Sequence, residues 1–90
     1  MEKRLTLSIL GKVQGVGYRY WTQKEAEKRG LFGYVKNLEN GSVVIVAEGK
    51  EEDLRNFIDW CYNGVRSAMV EKIDQDWSEA TSRFYDFKIN

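Results

Sequence analysis

The hydrophobic period of this chain switches between two and about 3.6 residues in a fixed order, and that order restricts the folds open to it. Leu5, Leu7 and Ile9 alternate with Arg4, Thr6 and Ser8, the pattern of a strand with one buried face. From about Arg19 to Arg29 the composition turns to helix formers, Gln23 through Lys28, closed by Gly30 at the C′ position. The apolar stripe of this helix is thin. Tyr18, Thr22 and Ala26 share a face by i, i+4 spacing with Trp21 beside them, and Arg29 falls where a further apolar residue would extend it. Phe32 to Leu38 and Ser42 to Glu48 read as a hairpin, because Asn40-Gly41 between them suits a tight turn in which both residues tolerate positive φ. Glu51, Glu52 and Asp53 then favour a helix N-terminus, and Leu54, Phe57, Ile58 and Cys61 follow i, i+3, i+4, i+7 up to a stop at Asn63-Gly64. Met69 to Trp77 reads as a strand with imperfect alternation, and Tyr85, Phe87 and Ile89 alternate in a last strand.

The resulting order, β-α-β-β-α-β plus a short final strand, predicts a ferredoxin-like α+β sandwich with both helices on one face of an antiparallel sheet. No repeat, low-complexity stretch or break in composition divides residues 1–90, which read as a single domain. The order also yields a geometric expectation. Two strands joined through a crossover helix run parallel, so their C-terminal ends lie at the same end of the sheet. The Gly15 to Arg19 loop and Asn37 are therefore expected to be neighbours.

Composition removes several classes of function. Fourteen basic residues against fourteen acidic ones leave a formal net charge of zero, so no whole-molecule field holds a nucleic-acid backbone or an anionic membrane. An anion must be bound locally. Histidine is absent, which excludes the usual zinc sets and every His-based triad. The single cysteine cannot close an internal disulfide. The longest unbroken apolar run, Val43 to Ala47, is far short of the roughly 20 residues that span a bilayer, and Met1 to Lys12 alternates too regularly for a signal peptide. The expectation is a cytoplasmic monomer with no nucleic-acid or membrane partner.

Gln14-Gly15-Val16-Gly17-Tyr18 joins a strand to a helix. Glycines at such a joint serve an ordinary turn, or they let backbone amides turn inward as an anion-binding nest that the helix N-terminus reinforces. Arg19 bears on that choice. A cation in the first turn opposes the macrodipole by up to about 1 kcal/mol unless an anion lies between them, or unless the side chain swings out to solvent. Its forked donors match a phosphate in a way no lysine does. Asn37 is a second departure, since asparagine is depleted in strands. Sharing a face with Val35, it is expected to point toward the helices, either to end the strand by bonding local backbone or to offer an amide to water and an oxyanion.

Other residue types suggest ordinary roles. Cys61, on the apolar face of the second helix, is expected to be core, with no base available to activate it. Glu48, Glu51, Glu52 and Asp53 read as a solvated face and a helix start in preference to a metal cluster. Trp21, Trp60 and Trp77 read as packing or rim aromatics.

Two segments carry a family resemblance. Leu10-Gly11-Lys12-Val13-Gln14-Gly15-Val16-Gly17-Tyr18-Arg19 resembles the first signature of the acylphosphatases, and Gly33-Tyr34-Val35-Lys36-Asn37, followed by Gly41, Val43 and Gly49, resembles the second. The likeness extends over essentially the whole chain to Phe87-Lys88-Ile89. It implies hydrolysis of the carboxyl-phosphate bond of an acyl phosphate to a carboxylate and inorganic phosphate, without metal or cofactor. By the motif match, Arg19 and the backbone amides of Gly15, Val16, Gly17, Tyr18 and Arg19 would bind the phosphoryl group, and Asn37 would orient the attacking water. Phosphoryl transfer depends mainly on positioning and electrostatic stabilisation, which a site without histidine can supply.

Two departures from the family pattern stand out. Tyr18 replaces the usual phenylalanine before the arginine, so its hydroxyl needs a partner. Asn63-Gly64-Val65 stands where many relatives carry Gly-Pro, in a chain without proline, which removes a source of rigidity from that loop. Two rival readings exist. An RNA-recognition module shares the element order but would carry aromatics on its central strands, and Arg4 to Leu10 and Ser42 to Glu48 contain none. A non-catalytic acylphosphatase-like domain, like the one at the N-terminus of a carbamoyl-transferring hydrogenase-maturation protein, would bind phosphate or carbamoyl phosphate without turnover. The end of the sequence at Asn90 favours the free-standing enzyme.

Overall fold

Leu5, Leu7 and Ile9 are fully buried on one face of β1 (Glu2–Lys12), while Arg4, Thr6 and Ser8 between them are only partly covered. This alternation gives β1 one face in the core. A computed structural model describes residues 2–90. After β1 come α1 (Tyr18–Lys28), β2 (Phe32–Asn37), β3 (Val43–Lys50), α2 (Glu51–Asn63), β4 (Met69–Glu79) and β5 (Phe87–Ile89). The strands form one sheet in the order β4-β1-β3-β2-β5. Both helices pack on one face of the sheet, α1 over β2 and β5 and α2 over β3, β1 and β4, burying Tyr18, Thr22 and Ala26 from α1 and Leu54, Phe57, Ile58 and Cys61 from α2. These are the faces that the sequence spacing picks out. No described helix is long and apolar enough to cross a membrane.

The sheet differs from expectation at its far edge. Its first four strands pair antiparallel, but β5 pairs parallel to β2, with Gly33 opposite Phe87 and Val35 opposite Ile89. The sheet is therefore mixed. Following β4, residues 80–86 leave one edge of the sheet and return at the opposite edge, so β5 starts at the same end as β2. Phe87 is buried. Tyr85, expected to belong to the last strand, precedes it and is 91% exposed. β5 covers the outer edge of β2, where unpaired strand groups would otherwise invite another chain.

The returning segment also explains Glu48, which is not part of a solvated acidic face but only 2% exposed. Its carboxylate accepts hydrogen bonds from the Thr81 amide at 2.8 Å, the Thr81 hydroxyl at 2.9 Å, the Ser82 amide at 2.9 Å and Arg4 Nε at 2.9 Å. Burial alone would raise the pKa of this carboxyl, but the donated hydrogen bonds outweigh it and hold the group below its ordinary value. Arg4 also lies over the Phe84 ring, 5.3 Å from its centroid. The remaining acids behave as expected, Glu51, Glu52 and Asp53 filling the first turn of α2.

The β2–β3 turn is wider than a two-residue hairpin. The Gly41 amide donates to the Leu38 carbonyl at 3.1 Å and the Leu38 amide to the Ser42 carbonyl at 2.9 Å. Gly41 has positive φ and Asn40 does not. Asn40 contributes through its side chain, whose Oδ1 accepts from the Ser42 amide at 3.0 Å and hydroxyl at 2.6 Å.

Candidate active site

Gly15 and Gly17 adopt φ of 75° and 80°, while Val16 and Tyr18 between and after them do not have positive φ. Such an alternation of hand turns successive N–H groups to one side. Val13 and Tyr18, buried on either side, hold the ends of the loop in the core, and Val16 packs against it. Among the described residues, no protein acceptor takes a hydrogen bond from the amides of residues 15–20; the first intrahelical bond runs from the Trp21 amide to the Gly17 carbonyl at 3.1 Å. Gly17 caps α1 without a side-chain hydrogen bond, and the first turn holds no acid. The contrast with α2 is direct, since three carboxylates offset its positive end. In α1 the same position carries the Arg19 cation.

Arg19 is half-buried. Its Nη1 lies 3.4 Å from the Asn90 main-chain oxygen, a long contact that fixes the side chain weakly. No carboxylate side chain pairs with it among the described residues.

Asn37 ends β2 on the same face as fully buried Val35. Its Oδ1 is buried and has no hydrogen-bond partner. The local-backbone role open to this residue in the sequence would satisfy that oxygen, and it is not satisfied. The only other such atom among the described residues is Thr22 Oγ1, on the buried face of α1. Orphaned acceptors of this kind cost about 1–3 kcal/mol and ask for a donor from outside the protein.

The crossover rule brings the loop and Asn37 to one end of the sheet. Ile9 of β1 and Asn37 of β2 both pair with Val43 of β3, one from each side. Gln14 makes the link physical, its Nε2 donating to the Leu38 carbonyl at 2.7 Å and the Ser42 carbonyl at 2.8 Å. A second brace comes from Ser67, whose hydroxyl donates to the Val16 carbonyl at 2.7 Å. The sequence pattern marks neither brace, because their partners lie 24 to 51 residues away.

The Tyr18 hydroxyl has the partner it needs. It donates to the Cys61 main-chain carbonyl at 2.7 Å, one of the carbonyls that the end of α2 leaves unpaired. Burial raises the Tyr18 pKa well above that of a free phenol, so the group stays a neutral donor. Burial likewise pushes the Cys61 thiol up to about 12, which leaves it a core residue with no thiolate character.

The chain is similar to known proteins over nearly its whole length. The sequence model of the acylphosphatase family matches residues 5–89. An acylphosphatase of Caldanaerobacter subterraneus subsp. tengcongensis is 42% identical over 89 residues, covering 99% of both chains. The crystal structure of acylphosphatase from Bacillus subtilis superposes with a TM-score of 0.94 at 39% identity, over 98% of each chain. HypF of T. kodakarensis contains a similar unit, with a TM-score of 0.85 at 31% identity, but that match covers 98% of this chain and only 12% of HypF. Sequence identity and fold run the length of the chain in the first two cases, and on that ground the chain belongs to the acylphosphatase family, hydrolases of acyl phosphates.

Proposed function

We propose that the chain hydrolyses its acyl phosphate by holding the phosphoryl group in the cradle of amides 15–19 with the Arg19 guanidinium, while Asn37 orients the attacking water. The observation that carries this reading is Asn37 Oδ1, buried without a donor at the end of the sheet where the loop amides also lack acceptors. A bound phosphate answers the loop, and a water molecule answers Oδ1. The carboxamide oxygen accepts a hydrogen bond from one O–H of that water and directs the oxygen lone pair at phosphorus. The Arg19 fork and the amides stabilise charge on the equatorial oxygens as the P–O bond to the acyl group breaks. The leaving group is a carboxylate, stable without a proton, so no side-chain acid is required. The water proton passes to a phosphoryl oxygen, leaving inorganic phosphate. A cytoplasmic location accords with the lone buried thiol, which needs no oxidising compartment.

Benzoyl phosphate hydrolysis in the presence of a chelator tests the reading. The parent protein turns over and is inhibited competitively by inorganic phosphate. Arg19→Ala loses about a hundredfold or more in kcat/KM together with phosphate inhibition. Asn37→Ala loses kcat on a similar scale and keeps phosphate inhibition, because the missing contact is to water. An Asn37→Ala protein as active as the parent would refute the assigned role.

A further inference from the structure

Thr22 is fully buried, and its hydroxyl has no hydrogen-bond partner. A threonine inside a helix can settle its hydroxyl on the carbonyl four residues back, here that of Tyr18, and this one does not. Its neighbours along the buried stripe of α1 have evident roles. Tyr18 reaches α2 through the Cys61 carbonyl, and Ala26 belongs to the apolar core. The hydroxyl of Thr22 is the one polar group of the stripe without a task.

Its position on the helix decides where it points. Viewed down α1, Thr22 lies about 40° from Tyr18 and about 100° from Gln23. Tyr18 faces α2, whereas Gln23 faces the outer edge of the sheet, its Nε2 donating to the Phe87 carbonyl of β5 at 2.9 Å. Thr22 stands between these directions, and β2 is the strand that α1 covers together with β5. The level along β2 follows from the same contacts. Gln23 reaches Phe87, which pairs with Gly33, and Arg19, one turn earlier, reaches Asn90, whose amide donates to the Val35 carbonyl. Side chains on a helix lean toward its N-terminus, so Thr22 leans from the level of Gly33 toward Val35 and Asn37. Val35 is fully buried and carries no side-chain polar group. Asn37 is the next residue on that face, and its Oδ1 is the other unpartnered buried side-chain atom among the described residues.

We propose that Thr22 is a positioning residue for the reaction, its hydroxyl orienting the Asn37 carboxamide through one buried water. The inference rests on the water-orienting role of Asn37 above and adds what holds that side chain. A hydroxyl can donate once and accept twice, and a carboxamide oxygen has two lone pairs. Thr22 and Asn37 do not bond each other directly, and a water between them satisfies both atoms. The second lone pair of Oδ1 then faces the attacking water, and the carboxamide is held against flipping its N–H₂ into that place.

The test measures kcat, KM and phosphate inhibition with benzoyl phosphate on the parent protein, Thr22→Val, Thr22→Ala and Thr22→Ser, with Thr22→Val also combined with Asn37→Ala. Valine and alanine both delete the hydroxyl, valine keeping the volume, and serine keeps the hydroxyl. Thr22→Val and Thr22→Ala lower kcat about tenfold, as a misplaced catalytic group does, while KM and phosphate inhibition stay at parent values. Thr22→Ser retains parent kcat. In the Asn37→Ala background Thr22→Val costs nothing further, because the two side chains act as a unit. A crystal structure shows a water within hydrogen-bond distance of both Thr22 Oγ1 and Asn37 Oδ1. Parent kcat in both variants that lack the hydroxyl, a serine as impaired as valine, or an equal loss with and without Asn37 overturns the proposal. Asn37→Ala alone separates the two levels of failure. If it loses kcat while Thr22→Val and Thr22→Ala do not, only the role of Thr22 falls; if it keeps parent kcat, the water-orienting role falls and that of Thr22 with it.

Discussion

The Tyr18 hydroxyl donates to the Cys61 carbonyl at 2.7 Å, tying the first residue of α1 to the last turn of α2. The β1–α1 loop ends at Tyr18, so this bond sets where the positive end of α1 stands relative to the second helix. It also satisfies a carbonyl that the helix end leaves without an intrahelical donor. The phenol in place of phenylalanine thus adds a crosslink between the two helices.

Tyr18→Phe removes the donor and leaves the ring in place. The Cys61 carbonyl then stays buried and unpaired, which costs about 1–2 kcal/mol of unfolding free energy. Urea denaturation of parent and variant reads the difference directly. An unchanged midpoint and slope would mean that the bond adds nothing to stability. Activity of the variant stays close to that of the parent, because the phenol does not face the cradle.

Gln14 is a positioning residue. It holds the strand end carrying Asn37 against the loop through two carbonyls, and both bonds require a donor. Gln14→Ala therefore lowers kcat about tenfold, while inorganic phosphate still binds in the cradle. Gln14→Glu is at least as impaired at neutral pH, since a carboxylate cannot donate to a carbonyl and is repelled by two of them. Restoration of parent kcat by glutamate would show that only side-chain size matters at this position.

Most of the fold is legible in the sequence because each element announces itself locally. The i, i+4 set Tyr18, Thr22, Ala26 and the set Leu54, Phe57, Ile58, Cys61 are the buried faces of the two helices. The meeting of the glycine loop with the end of β2 follows from a rule of chain topology. What stays hidden depends on partners distant in the chain. Glu48 looks like a solvated acid until residues 80–86 cross the sheet and bring Thr81 and Ser82 to it from 33 and 34 positions away. The parallel pairing of β5 is set by the same crossing. At the site, the glycines and Arg19 stand out by composition and placement, whereas Gln14 and Ser67 have ordinary residue types whose partners only the folded chain supplies.

Glu48 makes stability depend on pH in a defined direction. Its carboxyl is held below the ordinary value of 4.5 in the folded state. The stabilisation is therefore complete above the unfolded value and is lost as pH falls through the depressed folded value. Glu48→Gln removes this contribution at neutral pH, at a cost of about 2 kcal/mol, and flattens the fall in stability on the acid side. Glu48 pairs across from Arg4 and Phe32, five residues along β3 from Val43, or roughly 16 Å from the cradle end. Phosphate inhibition and kcat consequently stay near parent values. A variant whose acid-limb stability still falls as steeply as that of the parent would assign the pH dependence to other carboxylates.

Cys61 offers a check on the absence of thiol chemistry. Its side chain is buried among core residues, and burial keeps the thiol protonated far above neutral pH. A thiol-specific disulfide reagent therefore reacts with the protein only as fast as it unfolds, and turnover persists through the incubation. Raising urea toward the denaturation midpoint accelerates labelling in step with the unfolded fraction. Rapid labelling in native buffer with matching loss of activity would show an accessible thiolate beside the substrate and contradict the core assignment. Cys61→Ala, which removes the sulfur and leaves a small void, costs about 1–2 kcal/mol of stability and keeps kcat. Loss of turnover in that variant while it remains folded by circular dichroism would point the same way as rapid labelling.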